Sequence, residues 1–522
     1  MKSSILFRLL ALAVVYWNTF FSVSIAAANN LNKTTKVDWS VAAQTDIEFI
    51  HSTLSGNHPG SVDTENRRFA KWLEDGKTIA LTNAKSAITQ ADYWRAVRAY
   101  TNGFRDGHIW FGINDAIHQW PGFLTRRLDD GRTQVVLTNQ KLNVPLGSLL
   151  KSCDGIEPDE LVQKMVTPFR WNADIPHEKN AASVYLFAPL ANDKLRPRKC
   201  QFSFKERVFS QTLNWKSVSN QQLDSYLQKA SGNVVPTLGL RQVDGVWLVS
   251  LPTFNFQDKQ VDAINALLKK LETHSSRLQK AHWVVLDMRG NTGGNSGWGS
   301  QVARKLYGNS AVDRIEGQFN WTVDWRVSAQ NAMSQRHWAT IAKQNGQIEE
   351  ARERNELADE LEIALSQGQT YLRRNDSIHL PITDKEAQSP FKGQVFLLTD
   401  NNCASACLDF ADIARRLPDV LHIGLPTSAD AVYIDNTDVE LPSGQGQLSY
   451  SMKAYRNRIR ANNEWYEPHV RWPGGSLTDS DLAFWVKNLK TKKPSAARIS
   501  NGIQKWADIL KDPKLYSKVW RS

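Results

Sequence analysis

Long apolar runs are nearly missing from this chain. The one that exists lies at the N-terminus, in MKSSILFRLLALAVVYWNTFFSVSIAAANN, and no later run approaches the roughly 18 residues needed to span a bilayer. That excludes a polytopic membrane protein. Cysteine is also sparse: four residues, at 153, 200, 403 and 407, in a spacing that no zinc site uses. The glycine-rich turn at 287–295 lacks both the spacing and the lysine of a P-loop, which removes the usual sign of phosphate binding. No nucleic-acid-binding motif accompanies the basic residues. Neither a metal nor an organic cofactor is called for.

What is present is ordinary globular material: 522 residues, 41% hydrophobic and 22% charged, enough for two to four domains. Nineteen tryptophans are many for this length, and core packing accounts for most of them more simply than an aromatic groove. The formal charge is +11, and much of it is a tail property: residues 477–522 hold ten Lys/Arg against four Asp/Glu. A solvated helical face explains that tail better than an acidic partner surface. The N-terminus has the pattern of a secretory signal over residues 1–28. Lys2 and Arg8 precede the apolar region, and Ala26-Ala27-Ala28 offers a cleavage site. An uncleaved anchor is the alternative. The expectation is a secreted or periplasmic protein with no integral span once the signal is removed.

In such a compartment four cysteines predict disulfides, and the favoured pairing of three is Cys153 with Cys200 and Cys403 with Cys407. In the chain-entropy picture the longer loop contributes about 4 kcal/mol and the shorter about 2 kcal/mol. The first reads as a staple and the second as a clamp on a bend. Cys403 and Cys407 cannot both lie in one regular helix and still bond.

Residues 29–118 read as an N-terminal helical region, with apolar residues at helical spacing in TDIEFIHSTL, RRFAKWLEDGKTIAL and ADYWRAVRAYTNGF. His51 and His58 there are most simply surface or capping residues. The last helix ends near Arg105-Asp106-Gly107-His108, and a β-prone run follows, so His108 lies at an element boundary. Residues 119–220 look like a separate β-rich module with an Asp154-Gly155 turn and a helical PDELVQKMV. From Val246 strand and helix alternate, VWLVSL, QVDAINALLKKLETH, WVVLD, which predicts βαβ units across 221–310 and 390–475. Between them, 311–389 carries two charged helical segments, near 329–345 and 347–367, and reads as a helical insertion, either a solvated one or a lid or partner surface. Residues 476–522 form a basic helical tail.

The stretch that organises the rest is VFLLTDNNCASACLDFADIA, 395–414: a buried strand, a polar turn, then a short amphipathic helix. Ser405 stands where turn becomes helix, beside N–H groups without helical partners. Alone, that position fits a helix cap as well as a nucleophile facing an oxyanion site.

Cys403-Ala404-Ser405-Ala406-Cys407 resembles the nucleophile segment of the tail-specific and tricorn-like serine peptidases, the S41-type family. Asp287 to Asn295 resembles that family's oxyanion loop, and Asp106-Gly107-His108 the base motif of its histidine-using branch. Val144 to Gly155 resembles part of a PDZ-like module, with a small β-barrel as the alternative. Asn463-Glu464-Trp465-Tyr466-Glu467-Pro468-His469 resembles the segment that supplies an acidic residue; His469 departs from the family's Glu-Pro-Asp turn. The tail-specific branch has a lysine base after the strand ending at Leu425. Here Ser428-Ala429-Asp430 occupies that place, and no lysine follows until Lys453.

The resemblance implies an α/β fold with a crotonase-like spiral core and an exported serine endopeptidase acting on protein or peptide. It implies Ser405 as nucleophile, His108 as base and Glu464 as the orienting acid, with Glu467 the second choice. Gly294 and Ala406 amides would form the oxyanion hole. A binding protein on an inactive peptidase scaffold is the competing class. A serine–lysine enzyme with its lysine elsewhere is the third.

Overall fold

The structure is a computed structural model. It describes residues 37–489 except 129, 140–142, 171, 173–174, 233, 257–258, 320, 375–387 and 474–475. The expected signal segment and most of the basic tail fall outside the described residues.

Three helices open the described chain: α1 (Trp39–Asn57), α2 (Arg67–Ala84) and α3 (Gln90–Gly103). Each begins on a side chain that accepts from the first-turn amides, Asp38, Asn66 and Thr89 respectively. Their inner faces, including Ile47, Ile50, Leu54, Phe69, Leu73, Tyr93, Val97 and Tyr100, share one apolar core.

A β-rich module follows. After β1 (Trp110–Ile113) and β2 (His118–Trp120) come β3 (Phe123–Arg127), β4 (Thr133–Thr138), β5 (Leu149–Cys153), β6 (Lys199–Phe204) and β7 (Arg207–Thr212). The last five form an antiparallel sheet in that order. Cys153 and Cys200 face each other in its register and are bonded. Asp154 and Gly155 both hold positive φ in a tight turn that returns the chain to Cys153 at Ile156. The helices α4 (Pro158–Met165), α5 (Pro176–Ala182) and α6 (Asn220–Ser231) pack on this module, and β8 (Lys216–Val218) pairs with β2.

The βαβ reading of the following segment corresponds to a six-stranded sheet. Its strands are β9 (Gly239–Val243), β10 (Val246–Ser250), β11 (Trp283–Asp287), β14 (Gln394–Thr399), β15 (Val420–Gly424) and β18 (Val470–Arg471). They lie in the order β18-β15-β14-β11-β10-β9, parallel except for β9. The strands read as near-continuous apolar runs because both faces are covered. One face packs on α7 (Lys259–Thr273), α8 (Ser275–Lys280), α9 (Ser296–Tyr307), α10 (Asn309–Glu316) and α13 (Ala406–Ala414). The other packs on α14 (Asp479–Asn488).

The segment read as a helical insertion is more than that. It does contain α11 (Ala329–Gln344) and α12 (Ile348–Ser366), a packed helix pair. It also supplies β12 (Thr322–Arg326) and β13 (Tyr371–Arg374), which join β1, β16 (Tyr433–Glu440) and β17 (Gly446–Arg456) in a second sheet. That sheet shares the core of α1 to α3 through Val323, Trp325, Leu448, Tyr450 and Met452. Asn331 Nδ2 donates to Asn57 O at 2.9 Å, tying α11 to the end of α1.

Candidate active site

Strand β14 ends at Thr399, and a turn led by Asp400 carries the chain into α13. The Asp400 carboxylate accepts from Asn402 N through Oδ1 and from Gly290 N through Oδ2, both at 2.9 Å. One side chain thus ties the glycine loop to the turn that carries Ser405. Ser405 holds φ 52°, ψ −125° and makes no side-chain capping bond to its own helix. It stands at the N-cap position, with its carbonyl accepting from Leu408 N and Asp409 N, but its hydroxyl does not cap the helix. Cys403 lies before the helix and Cys407 inside it. Their Cα atoms are 5.2 Å apart, and the bond between them closes around Ser405.

The glycine loop is fitted against this turn. Gly293 has φ +107°, and a Cβ there would lie 2.8 Å from Ser405 Cβ and 2.9 Å from Ala404 O. Gly294 has φ +130°, and a Cβ there would meet Phe254 C at 2.1 Å. Only glycine permits both approaches. The Gly293 amide donates to Asn291 Oδ1, and the Gly293 carbonyl accepts from Phe254 N. Among the described residues nothing accepts from the N–H of Gly294 or of Ala406, the first residue of α13.

His108 comes from the opposite side, after α3. Its backbone N–H donates to Asp106 Oδ1 at 2.8 Å, and Asn436 Nδ2 donates to its carbonyl at 2.8 Å. Its Nδ1 lies 3.8 Å from the same Asp106 oxygen, and the ring is mostly buried. His58 proves to be fully buried rather than a surface residue: its ring stacks on Phe69 with centroids 4.5 Å apart. Its Nδ1 accepts from Gly60 N, which leaves the proton on Nε2, 3.2 Å from Asp106 Oδ2. Burial holds the His58 pKa below its usual value despite Asp106.

Ser405 and His108 line the same cavity of about 390 Å³, together with Asp106, Thr292, Ala404, Ser428 to Asp430 and Asn463. Residues 246–470 match Peptidase family S41.

The chain carries an S41-type serine peptidase core.

Among solved structures, mature CPAF superposes with a TM-score of 0.57 and 12% identity, over 86% of this chain and 95% of that one. Mature CPAF complexed with lactacystin gives 0.57 and 12%, over 86% and 97%. At such identity the likeness is one of fold. No curated protein matches the chain.

The two glutamates expected to orient His108 in this peptidase do not line the cavity. Glu464 Oε2 accepts from Ala461 N at 2.6 Å, closing a local turn. Glu467 pairs with Arg471 at the surface, 2.6 Å away. Asp430 does line the cavity. Burial would raise its pKa, but Arg460 first, then Arg458 and His108, hold the carboxyl below the usual range. Its Oδ1 accepts from Arg460 Nη1 at 2.5 Å, while Oδ2, like His108 Nδ1, is buried without a hydrogen bond among the described residues.

A second carboxyl, absent from the sequence reading, comes from the β-rich module of the peptidase. Glu178 on α5 is buried in the same cavity. It accepts from Ser428 Oγ at 3.1 Å and from Asn172 N at 2.7 Å. Burial pushes its pKa up to about 7, against those hydrogen bonds and Arg105. Nothing in PHEKN marks it; only the docking of the module on the core does. Among the described residues no helix is long and apolar enough to cross a membrane, and no cluster of His, Cys, Asp and Glu is arranged to hold a metal ion.

Proposed function

We propose that the protein is an exported serine endopeptidase of the histidine-using branch, built on a crotonase-like core, with Ser405 as nucleophile and His108 as general base. The observation that carries this is the shared cavity: a serine in a strained turn and a histidine from a distant segment border the same space. Ser405 Oγ attacks the peptide carbonyl, and His108 takes its proton and returns it to the leaving amine. The acyl-enzyme is then opened by water through the same base. The two amides without acceptors, Gly294 and Ala406, receive the oxyanion.

The orienting acid is Asp430 in this reading. A neutral imidazole that accepts at Nε2 carries its proton on Nδ1, and that proton needs an acceptor. Asp430 lines the cavity, and its Oδ2 is buried with no hydrogen bond among the described residues. Glu464 does not line the cavity, and its Oε2 accepts from Ala461 N in a local turn.

A fluorophosphonate probe tests the assignment. Wild type should label, Ser405→Ala should not, and His108→Ala should lose turnover by on the order of 10⁴–10⁶. Folded wild type that never labels would return the protein to the class of non-catalytic binders. Asp430→Asn should cost more than 10-fold in labelling rate and alter its pH profile, with Glu464→Gln close to wild type. The reverse ranking would restore Glu464.

A further inference from the structure

The catalytic cavity has one wall that the proposed reaction does not use. Arg98 on α3 and Arg170 just after α4 both line it, alongside Asn102 and Arg105. Arg98 and Asn102 are four residues apart on α3 and so share a helix face. Arg98 Nε donates to Phe169 O at 2.8 Å, and among the described residues its terminal nitrogens have no hydrogen-bond partner. The Arg170 guanidinium lies 3.9 Å from the Tyr185 ring centroid and 5.6 Å from that of Trp94. Stacking fixes its plane but supplies no acceptor for its N–H groups.

Among the described residues no carboxylate is within ion-pair distance of either arginine. The cavity's own carboxyls are engaged elsewhere: Asp106 with His108 N and His58, Asp430 with Arg460 and Arg458, Glu178 with Ser428 and Asn172. Two neighbouring guanidiniums, each half-buried in a cavity wall with no anion beside it, form a cationic site open to a ligand, because charges withdrawn from water are normally paired. Burial and then the Arg170 charge pull the Arg98 pKa down to about 10, and burial lowers that of Arg170.

We propose that Arg98 and Arg170 form a substrate subsite that binds a carboxylate of the peptide, either an acidic side chain or the free C-terminus. The inference rests on reading Ser405 as the reacting group, since that makes the cavity the substrate's. Phe169 O and the Tyr185 and Trp94 rings hold the two forks in place. A carboxylate between them receives charge-assisted hydrogen bonds and removes the repulsion between them.

Binding to the Ser405→Ala protein tests this without requiring turnover. The probes are fluorescein-labelled, C-terminally amidated alanine pentapeptides carrying one Glu at each position in turn. Their Gln counterparts and an all-alanine peptide as free acid or amide complete the set. In fluorescence anisotropy, one Glu position or the free acid should bind about tenfold or more tighter than its neutral partner. A Glu advantage assigns the site to side chains; a free-acid advantage assigns it to chain ends. Adding R98Q and R170Q to the Ser405→Ala background should bring each pair to parity, while R98K with R170K should keep part of the preference. The R98Q single variant serves if the double does not fold.

Equal binding of charged and neutral partners would overturn the subsite, as would a preference that survives R98Q. Failure here is separable from failure of the peptidase reading. A wild type that labels with fluorophosphonate but shows neither a Glu nor a free-acid advantage sinks only the subsite. One that prefers either carboxylate yet never labels sinks only the chemistry.

Discussion

Ser405 holds a backbone conformation that costs a serine roughly 1–3 kcal/mol, and the surrounding contacts must keep it there. Gly293 is the nearest of them. Replacing it by alanine would set a methyl 2.8 Å from Ser405 Cβ at φ +107°, a clash with backbone on one side and the nucleophile on the other. Gly293→Ala should therefore lower kcat/KM and the fluorophosphonate labelling rate by 10² or more, comparable to losing an oxyanion donor, while circular dichroism stays native. Labelling at the wild-type rate would refute the tight fit. The groups near this point were legible to different degrees. Ser405, His108 and the glycine loop stand in local motifs that a sequence carries intact. Asp430 was visible only as the place where a lysine is missing, because its proposed role depends on Arg460 and His108 arriving from distant segments. His58 read as a surface or cap residue. It is a cap, but the aromatic packing that buries it comes from Phe69 and Tyr433, which no local pattern reveals.

Helix α13 starts directly after Ser405, the proposed nucleophile, and it is held by one fully buried guanidinium. Arg460 reaches Asp409 and Asp412 on α13 and Asp430 beside His108, at 2.8, 2.9 and 2.5 Å. Asp409 in turn accepts from Ser296 Oγ at the start of α9, so helix, glycine loop and His108 pocket share one ionic knot. Arg460→Met would leave these carboxylates without their common partner and should cost about 3–5 kcal/mol in urea denaturation. A loss under 1 kcal/mol would mean that water reaches the site and replaces the guanidinium. Opening the Cys403–Cys407 bond by a double alanine substitution should cost less, about 2 kcal/mol, because the loop it closes is short. At this scale the sequence was most readable where the pattern is local. The alternation around β10, α7 and β11, and the two helices after 329, follow from periodicity. The placing of β12 does not: its partner β17 lies more than a hundred residues further on, and pairing at that distance leaves no local signal.

The molecule as a whole makes its cavity from separate cores: His108 from the edge of the helical one, Ser405 from the parallel sheet, Arg170 and Glu178 from the β-rich module. That module is therefore part of the site, and Glu178 is one group through which it meets the core, at Ser428 and Ala429. Its ionisation should be felt as stability. The carboxyl titrates near 7 when folded against an ordinary value of 4.5, so the folded protein holds a proton that the unfolded chain has released. The resulting stabilisation is complete below about pH 4.5 and is lost as pH rises through 7, by on the order of 3 kcal/mol in total. Glu178→Gln cannot ionise. Measured by urea denaturation, the stability of wild type relative to Glu178→Gln should fall between pH 5 and pH 8 and level off above that. If the two proteins keep a constant difference across the range, the carboxyl is already ionised at pH 5 and the junction between module and core is open to water.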